Sequence, residues 1–539
     1  MNVVEKAREL SKAVIELREI CLHSSSRWAA EQLEALQDGE PYRKAQQVGA
    51  REAMEGEEID LDFLRARQFF EAREYRRAAH CLEDVPGDKP KFLRCYSMYL
   101  AGEKAREEAS VEQESGLLDH GGAQNAELEG LEFDLAEMTA HRPCSPFLLY
   151  VYGLVLADRK RAEDARHAII MSLNFYPCNW GAWQVLQGLC SSLEILHKLQ
   201  LPNHWMNSFF MAAVSVELQH GQEGLKRLDM VESEFPHSTF VIAQRALAYY
   251  NLRNFVESQK LFEKLLNVDP CRLEGIDTYS NILYVKELAE DLSQLAHRAV
   301  MTDKYRPETC CIIGNYYSLK SSHDKALLYF KRALRLDSHF LSALTLMGHE
   351  YVEIQNCAAA IDAYRRAVDL NPKDFRAWYG LGQAYEMMQM PCFALHYFRR
   401  ASQLRPEDAR MWNAMGMCYQ NPNIKKPDTA IRCFTRALQH GDQEGVSINF
   451  LARLYKESGQ YVEAAHFFEQ SLDRLERRNV QGKDAADALI YLAGYYKERG
   501  NLVKAREYCK RMSEFGGPMR EKAEEILKSM ETEGLARLQ

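Results

Sequence analysis

The sequence predicts an all-α protein built as a solenoid of stacked helix hairpins. Three observations lead to this class: a period of about 34 residues, small residues at fixed positions of that period, and a proline that recurs near its end. The period is clearest from the stretch RAWYGLGQAYE onward. Counted from Phe375 as position 1, the residues that recur at positions 4, 7, 8, 11, 20, 24, 27 and 32 are Trp378, Leu381, Gly382, Tyr385, Ala394, Phe398, Ala401 and Pro406.

Each unit is interpreted as two helices joined by a short turn. Positions 4, 7, 8 and 11 share one helix face, and position 8 is small because the second helix crosses there. Proline at position 32 ends the second helix. We considered whether Gly380 and Gly382 begin a phosphate-binding loop, but the third glycine of G-x-G-x-x-G is missing and no strand precedes them. The units therefore follow the tetratricopeptide pattern.

The same register extends along most of the chain. Successive units fill 205–408 without a gap, although 273–306 is degenerate. The unit that begins at 409 is lengthened in the loop QNPNIKKPD. Further units are predicted at 59–92, 146–179, 445–478 and 486–519.

Two stretches are expected to interrupt the array. Residues 1–58 are predicted to form one N-terminal helix, roughly from Val3 to Leu33, and then a polar linker without a helical stripe. Residues 103–141 carry eleven acidic and two basic residues, so we expect a partly disordered acidic loop there, either a solvated linker or a docking segment. The predicted divisions are 1–58, N-terminal units 59–204, middle units 205–306, central units 307–444, C-terminal units 445–519, and a capping helix and tail 520–539.

Composition and motifs argue against several classes of function. The chain has 68 basic and 77 acidic residues, which does not favour a nucleic-acid-binding protein. No C-x-x-C pair is present for a zinc cluster, and the longest apolar run, Phe147 to Ala157, is too short to span a bilayer. Walker, H-E-x-x-H and G-x-S-x-G motifs are absent. We expect an intracellular, non-enzymatic protein with no cofactor, metal, membrane or small-molecule substrate.

The candidate site is the groove lined by the first helix of each central unit. Positions 2, 5, 9, 12 and 13 face this groove, and they mix carboxylates, amides and aromatic rings. Such a surface matches an extended peptide that carries an arginine or lysine and apolar side chains. The alternative is a solvated groove without a ligand. The predicted groove residues are Asn315, Tyr316, Thr345, His349, Glu350, Glu353, Arg376, Tyr379 and Gln383, with Glu350 expected at the edge of the groove.

A receptor for chaperone tails is a rival interpretation of this groove. Its carboxylate clamp requires lysine, asparagine and basic residues at set positions of three successive units. Asn315 and Arg376 match that pattern, whereas Cys311, Leu346 and Gly380 do not. The clamp is therefore disfavoured.

Three consecutive stretches carry a more specific signal than the repeat itself. DKYRPETCCIIGNYYSLKSSHDKALLYFKRALRLD, TLMGHEYVEIQNCAAAIDAYRRAV and FRAWYGLGQAYEMMQMPCFALHYFRRASQLRPED resemble the subunit-eight family of the anaphase-promoting complex. WGAW at Trp180–Trp183 and EYRRAAHCL at Glu74–Leu82 extend the resemblance towards the N-terminus. The similarity is dense over 303–420 and collinear over about 60–520.

The resemblance implies a non-catalytic scaffold in a multisubunit ubiquitin ligase of the cell cycle, in the nucleus and cytoplasm. Family members form homodimers through their N-terminal repeats, here 59–204, and stack with related repeat subunits. One groove receives an arginine-containing box of a WD40 coactivator. Asn315 and Glu350 lie in the best-matched motifs, GNYY and GHEY, and are the first candidates to contact it. The alternative is a free-standing adaptor or co-chaperone that binds peptide tails.

Overall fold

The computed structural model describes residues 3–36, 40–54, 60–112, 124–140, 144–442, 444–477, 482–514 and 518–536, and these residues form helices and no strand. The predicted all-α class is therefore confirmed. None of the helices in these ranges is long and apolar enough to cross a membrane. The helices are α1 Val3–Glu19, α2 His23–Glu34, α3 Glu40–Met54, α4 Leu61–Glu71, α5 Tyr75–Cys81, α6 Asp88–Glu112, α7 Leu128–Ala140, α8 Pro146–Asp158, α9 Ala162–Phe175, α10 Trp180–Leu189, α11 Leu193–Lys198, α12 Met206–Glu217, α13 Gly221–Glu234, α14 Thr239–Asn251, α15 Phe255–Val268, α16 Ile276–Val285, α17 Ala289–Thr302, α18 Pro307–Leu319, α19 His323–Leu336, α20 Leu341–Glu353, α21 Cys357–Leu370, α22 Phe375–Met387, α23 Pro391–Leu404, α24 Ala409–Gln420, α25 Pro427–Gln439, α26 Val446–Glu457, α27 Tyr461–Arg477, α28 Lys483–Glu498, α29 Leu502–Glu514 and α30 Pro518–Ala536.

The chain divides into two compact units, Met1–Glu350 and Tyr351–Gln539. In each unit the helices pair as antiparallel hairpins that pack on their neighbours in chain order, for example α8 with α9 in the first unit and α22 with α23 in the second. The buried side chains are mainly Leu, Ile, Val, Phe and Ala from the inner faces of these hairpins. Within each unit this is the stacking that repeat proteins use to bury a face that one hairpin leaves exposed.

Backbone geometry confirms the repeat register. The residue at position 15, in the turn between the two helices of a unit, has positive φ in every predicted unit of regular length. In the unit that begins at 409, the positive φ falls two residues later, at Lys425, as the insertion in that loop predicts. The degenerate unit 273–306 has the same feature at Glu287, so it is a true repeat. The other residues that carry this conformation at position 15 are Arg73, Lys160, Gln219, Arg253, Ser321, Gln355, Gln389, Gly459 and Gly500.

The two glycines of RAWYGLGQAYE have separate packing partners. A Cβ at Gly382 would overlap the ring of Phe398, which lies on the second helix of the same hairpin. A Cβ at Gly380 would overlap the ring of Tyr364 on the preceding helix. The first contact was predicted from position 8, whereas the sequence offered no account of Gly380. Both glycines therefore serve close packing of aromatic rings against α22.

In three hairpins, a tryptophan of the first helix forms a hydrogen bond to the segment that precedes that helix. The indole N–H of Trp378 donates to the carbonyl oxygen of Pro372 at 2.9 Å, and Trp412 donates to Pro406 at 2.8 Å. Trp183 repeats the contact with Pro177 at 2.8 Å. Because each proline ends a helix, this hydrogen bond fixes the angle at which the next helix begins.

The N-terminal segment differs from the prediction. The expected single helix from Val3 to Leu33 is wrong: the chain breaks at 20–22, where Cys21 has a φ of 64°, and forms α1 and α2. The expected polar linker is also wrong in part, because Glu40–Met54 is helix α3 and packs against α1. Its stripe was overlooked because it is built from small residues such as Ala45 and Gly49, and Gly49 lies against the Arg8 backbone.

The acidic loop predicted over 103–141 is largely helical where the structure describes it. α6 continues to Glu112, and Leu128–Ala140 forms α7, which packs on α8 through Leu131 and Leu135. The expectation of a loop is therefore wrong for these parts. Residues 113–123 and 141 of the predicted loop lie outside the described residues.

Candidate peptide-binding groove

Asn315, on α18, lies inside the protein with both amide hydrogens in use. Its Nδ2 donates to Ser280 Oγ at 2.8 Å and to Asn281 Oδ1 at 2.7 Å, and both acceptors lie on α16. The residue is only 2% exposed. A buried amide costs free energy unless its donors are paired, so these two bonds join the hairpin of α18 to the preceding one.

Glu350 is the corresponding buried group on α20. It is 4% exposed, which corrects the prediction that it stands at the edge of the groove. The Ser318 hydroxyl donates to one carboxylate oxygen, and His323 Nδ1 lies 2.9 Å from the other. A buried carboxylate requires such partners, so Glu350 links α20 to α18 and α19.

Three further predicted residues of the first unit differ in exposure. Thr345 is buried, and its hydroxyl bonds to backbone carbonyls of its own helix at 3.0 and 3.3 Å. Tyr316 is half-buried and its hydroxyl accepts a hydrogen bond from Lys320, whose Nζ lies 4.4 Å from the ring centroid. The hydrogen bond from Lys320, followed by one from Ser293, lowers the pKa of Tyr316. His349 is the exposed member of this group.

In the second unit, Arg376 is neutralised by a neighbouring carboxylate. Its Nε lies 2.9 Å from Asp374 Oδ1, and one terminal nitrogen lies 3.2 Å from Oδ2. Asp374 also caps α22 by accepting the backbone N–H of Arg376 at 3.0 Å. The guanidinium is therefore already engaged in a two-point ion pair.

Tyr379, Gln383 and Glu353 complete the predicted set. The Tyr379 ring lies 5.3 Å from that of Phe398, and burial raises the pKa of its hydroxyl against the opposing effect of Arg410. Gln383 is half-buried on the same helix face. Glu353, at the end of α20, is exposed. Like Arg376, these three side chains keep some exposed surface in this unit.

Arg410 was missed in the sequence. It repeats the Arg376 arrangement one unit later, with Nε 3.1 Å from Asp408 Oδ1 and a terminal nitrogen 2.7 Å from Oδ2. The signal was present, because Asp-x-Arg occurs in both DFR and DAR at the same register. The predicted groove was limited to the three successive repeats that begin at 307, 341 and 375, and Arg410 belongs to the next repeat.

The N-terminal helices cover groove positions of earlier repeats, which the sequence also did not reveal. The Trp28 ring of α2 stacks on Trp180 at 4.3 Å and meets Phe209 and Phe240 edge-on at 5.3 and 5.9 Å. Phe209 and Phe240 stand at positions 5 and 2 of their units, which are groove positions. In this part of the first unit the groove face is therefore occupied by the chain itself.

Two side-chain clusters of the first unit contain metal-binding residue types: Glu9 with Cys178 and His204, and Cys21 with His23 and Glu71. In the first cluster, the polar atoms of Glu9 and His204 already form hydrogen bonds. His204 Nε2 lies 2.9 Å from the Glu9 carboxylate, and Trp205 Nε1 donates to it at 2.9 Å. His204 Nδ1 accepts the Met206 N–H at 3.3 Å, so Nε2 carries the proton and has no lone pair for a metal.

Comparison with known proteins agrees with this architecture. The family described as Anaphase promoting complex subunit 8 / Cdc23 matches residues 5–246, and tetratricopeptide repeat families match 307–340, 348–389 and 447–479. Anaphase-promoting complex subunit 8 of Arabidopsis thaliana is 48% identical over 97% of this chain and 96% of that protein. The chain belongs to the anaphase-promoting complex subunit 8 family. This confirms the resemblance stated from the sequence.

Other members of the family are similar over shorter or equal lengths. The subunit 8 of Dictyostelium discoideum is 42% identical over 97% of both chains. Subunit CDC23 of Saccharomyces cerevisiae is 31% identical over 65% of this chain and 69% of that protein. The crystal structure of the APC/C hetero-tetramer Cut9-Hcn1 matches with a TM-score of 0.61 at 16% identity, over 96% of this chain and 98% of that one. That match supports the repeat fold alone.

Proposed function

We propose that this chain is a non-catalytic scaffold subunit of the anaphase-promoting complex, a ubiquitin ligase of the cell cycle. The observation that carries the proposal is the 48% identity to an anaphase-promoting complex subunit 8 over nearly the whole of both chains. In this role the chain forms a homodimer through its N-terminal repeats, stacks with other repeat subunits, and binds the arginine-containing box of a WD40 coactivator. It acts in the nucleus and cytoplasm.

Affinity purification of the tagged full-length chain from its own cells, followed by mass spectrometry, tests the scaffold role. We expect recovery of the other subunits of the ligase and elution at the size of a large assembly. Recovery of chaperones without ligase subunits would instead support the alternative, a free-standing adaptor or co-chaperone. Size-exclusion chromatography with light scattering on the purified chain tests the homodimer separately.

The coactivator test requires residues that have surface and little structural duty. Asn315 and Glu350 are both buried and bonded to neighbouring helices, so their substitution would disturb the fold as well as any ligand. Glu353 is an exposed carboxylate at a groove position, and a carboxylate is the expected partner of an arginine. We therefore assign the first contact of the box arginine to Glu353.

The corresponding variant is Glu353→Lys, with Glu498→Lys as control, because Glu498 is equally an exposed carboxylate but lies outside the predicted groove. We expect Glu353→Lys to weaken binding of a labelled box peptide by about tenfold or more, since a like charge now faces the arginine. The control should bind as the unmodified chain does. Equal binding by all three proteins, with the assembly intact, would remove Glu353 from the site.

A further inference from the structure

A group of basic side chains lies on the second helices of two successive hairpins in the second unit. His396, Arg399 and Arg400 lie on α23, and Arg432 and Arg436 lie on α25; we refer to these five residues as the arginine patch. All five are exposed. Their spacing of three and four residues places them on one face of each helix. α23 contains no acidic residue, and the one acidic residue of α25, Asp428, is in its first turn.

The two helices contribute to one surface because α23 and α25 both pack against α24. Arg399 of α23 reaches Tyr419, and Arg436 of α25 lies over Trp412, and both of these partners are on α24. Burial raises the pKa of Cys433, while the nearby charges of Arg436 and Arg399 oppose the rise. This effect of one arginine from each helix on the same thiol agrees with the shared packing on α24. The arginine patch is therefore a single electropositive area and not two separate stripes.

The partners that the arginines do have are uncharged. Arg399 donates to the Tyr419 hydroxyl at 2.9 Å, and Arg400 donates to Gln403 Oε1 at 3.3 Å. The guanidinium of Arg436 lies 4.6 Å from the centroid of the Trp412 ring. Across the described ranges, none of the four arginines forms an ion pair, whereas Arg376, Arg405 and Arg410 all do.

Other arginines at the surface of the same unit do form ion pairs. Arg477 lies 2.6 Å from Asp473, and Arg511 lies 3.0 Å from Glu476 and 2.9 Å from Glu507. The flanking second helices also carry acids, namely Asp362 and Asp369 on α21 and Glu469 and Asp473 on α27. α23 and α25 therefore differ from these flanking helices in carrying five basic side chains and a single acid, Asp428, in a chain whose net charge is −9.

We propose that the arginine patch binds an Asp- and Glu-rich segment of a partner protein. The tyrosine, glutamine and tryptophan contacts hold the guanidinium groups in place but leave further N–H donors for carboxylates, which arginine binds at two points. Clusters of arginine are a common means of recognising acidic motifs. The negative charge of the whole chain disfavours a nucleic acid as the ligand. This interaction is separate from the coactivator groove and does not depend on it.

The test uses the full-length chain and a fluorescent peptide of alternating Asp and Glu, with the Asn and Gln version as the neutral probe. Fluorescence anisotropy should show binding of the acidic peptide that weakens as salt is raised, and no binding of the neutral one. Arg399→Gln with Arg436→Gln should weaken binding by about tenfold or more. Arg477→Gln with Arg511→Gln removes the same charge from paired arginines and should change binding by less than about twofold.

A third pair, Arg399→Lys with Arg436→Lys, separates recognition from folding. It keeps the charge but loses the planar two-point geometry of the guanidinium groups, so binding should lie between that of the unmodified chain and that of the glutamine pair. Loss of binding in the lysine pair together with a lowered melting temperature would mean that the contacts maintain the fold, and the proposal would fall. Equal weakening by the control pair would reduce the effect to net charge. Tighter binding of polyuridine than of the acidic peptide, lost in the same glutamine pair, would replace the protein ligand with RNA.

Discussion

The hairpin α18–α19 in the first unit and the hairpin α22–α23 in the second follow the same register but are held by different forces. In the first, groove-side polar groups are buried: Asn315 bonds to α16, and Ser318 bonds to Glu350. In the second, the corresponding contacts are aromatic, with Gly380 against Tyr364 and Tyr379 beside Phe398. One register thus accommodates hydrogen bonding in one place and ring packing in another.

The difference is clearest at positions 6 and 9 of the first helix. Position 6 is the fully buried Ile312 in α18 and Gly380 in α22, where the ring of Tyr364 fills the space. Position 9 is the buried Asn315 in α18 and the half-buried Gln383 in α22. A position that points towards the groove is therefore not necessarily available to a ligand. Whether it is available depends on the neighbouring hairpin.

The largest expected effect comes from placing the residue of one hairpin in the other. Gly380→Ile copies Ile312 into α22, where even a Cβ would overlap the Tyr364 ring. We expect a loss of about 3 kcal/mol in the free energy of unfolding of the second unit, because an overpacked core must shift backbone or ring. Urea denaturation, with hydrogen exchange on α22 and α23, measures this loss.

Gly380→Ile combined with Tyr364→Leu is the matched control, since the smaller side chain vacates the space of the ring. The double variant should recover part of the lost stability. If Gly380→Ile alone leaves both the urea midpoint and the exchange rates unchanged, the contact with Tyr364 is not what selects glycine at this position.

An intermediate effect is expected from the buried carboxylate of the first unit. Glu350→Ala leaves Ser318 without its acceptor and His323 without its carboxylate partner. An unsatisfied buried polar group costs about 1–3 kcal/mol, and we expect a loss of that size. Glu353→Ala on the same helix is the control, because an exposed site of this kind changes stability by less than about 0.5 kcal/mol. Equal melting of the two variants would show that the bonds of Glu350 contribute nothing.

The sequence was sufficient for the fold because the period repeats the same physical demands. Gly382 at position 8 predicts a helix that crosses closely, and Pro406 at position 32 predicts the end of a helix. The structure has both features at these residues. The candidate site was less predictable. The burial of Glu350 depends on Ser318 and His323, which lie in the preceding repeat. The pattern of a single repeat does not predict contacts with its neighbour.

The prediction of the N-terminal helices failed for a related reason. Trp28 belongs to a helix that has no repeat period of its own, and its partners Trp180, Phe209 and Phe240 lie far along the chain. Pattern analysis detects periods and local motifs, so it found the hairpins but not the segment that docks on them. Groove positions that the repeat pattern leaves exposed can therefore be covered by another segment of the same chain, as Trp28 covers Phe209 and Phe240.

The smallest effect is expected at Asp408, at the start of the hairpin that follows α22–α23, and it depends on pH. Asp408 caps α24 and pairs with Arg410. Burial pushes the pKa of Asp408 upwards, but the hydrogen bond and charge of Arg410 outweigh it, so the pKa lies below its ordinary value. A lowered carboxyl pKa means that the folded state binds fewer protons than the unfolded chain. The stabilisation is therefore present above about pH 4, the ordinary value, and is lost as the pH falls through the lowered one.

Asp408→Asn keeps a capping oxygen but removes the charge, so it isolates the ion pair. We expect a loss of about 0.5–1 kcal/mol at pH 7 that shrinks as the pH falls below about 4 and vanishes only below the lowered pKa, where the unmodified carboxyl is protonated in the folded state as well. Asp362→Asn, which removes an exposed acid on α21, controls for the change in net charge. Urea midpoints of the three proteins measured across this range decide the point. A constant difference between Asp408→Asn and the unmodified chain would mean that the shape of the cap, and not its charge, stabilises the start of α24.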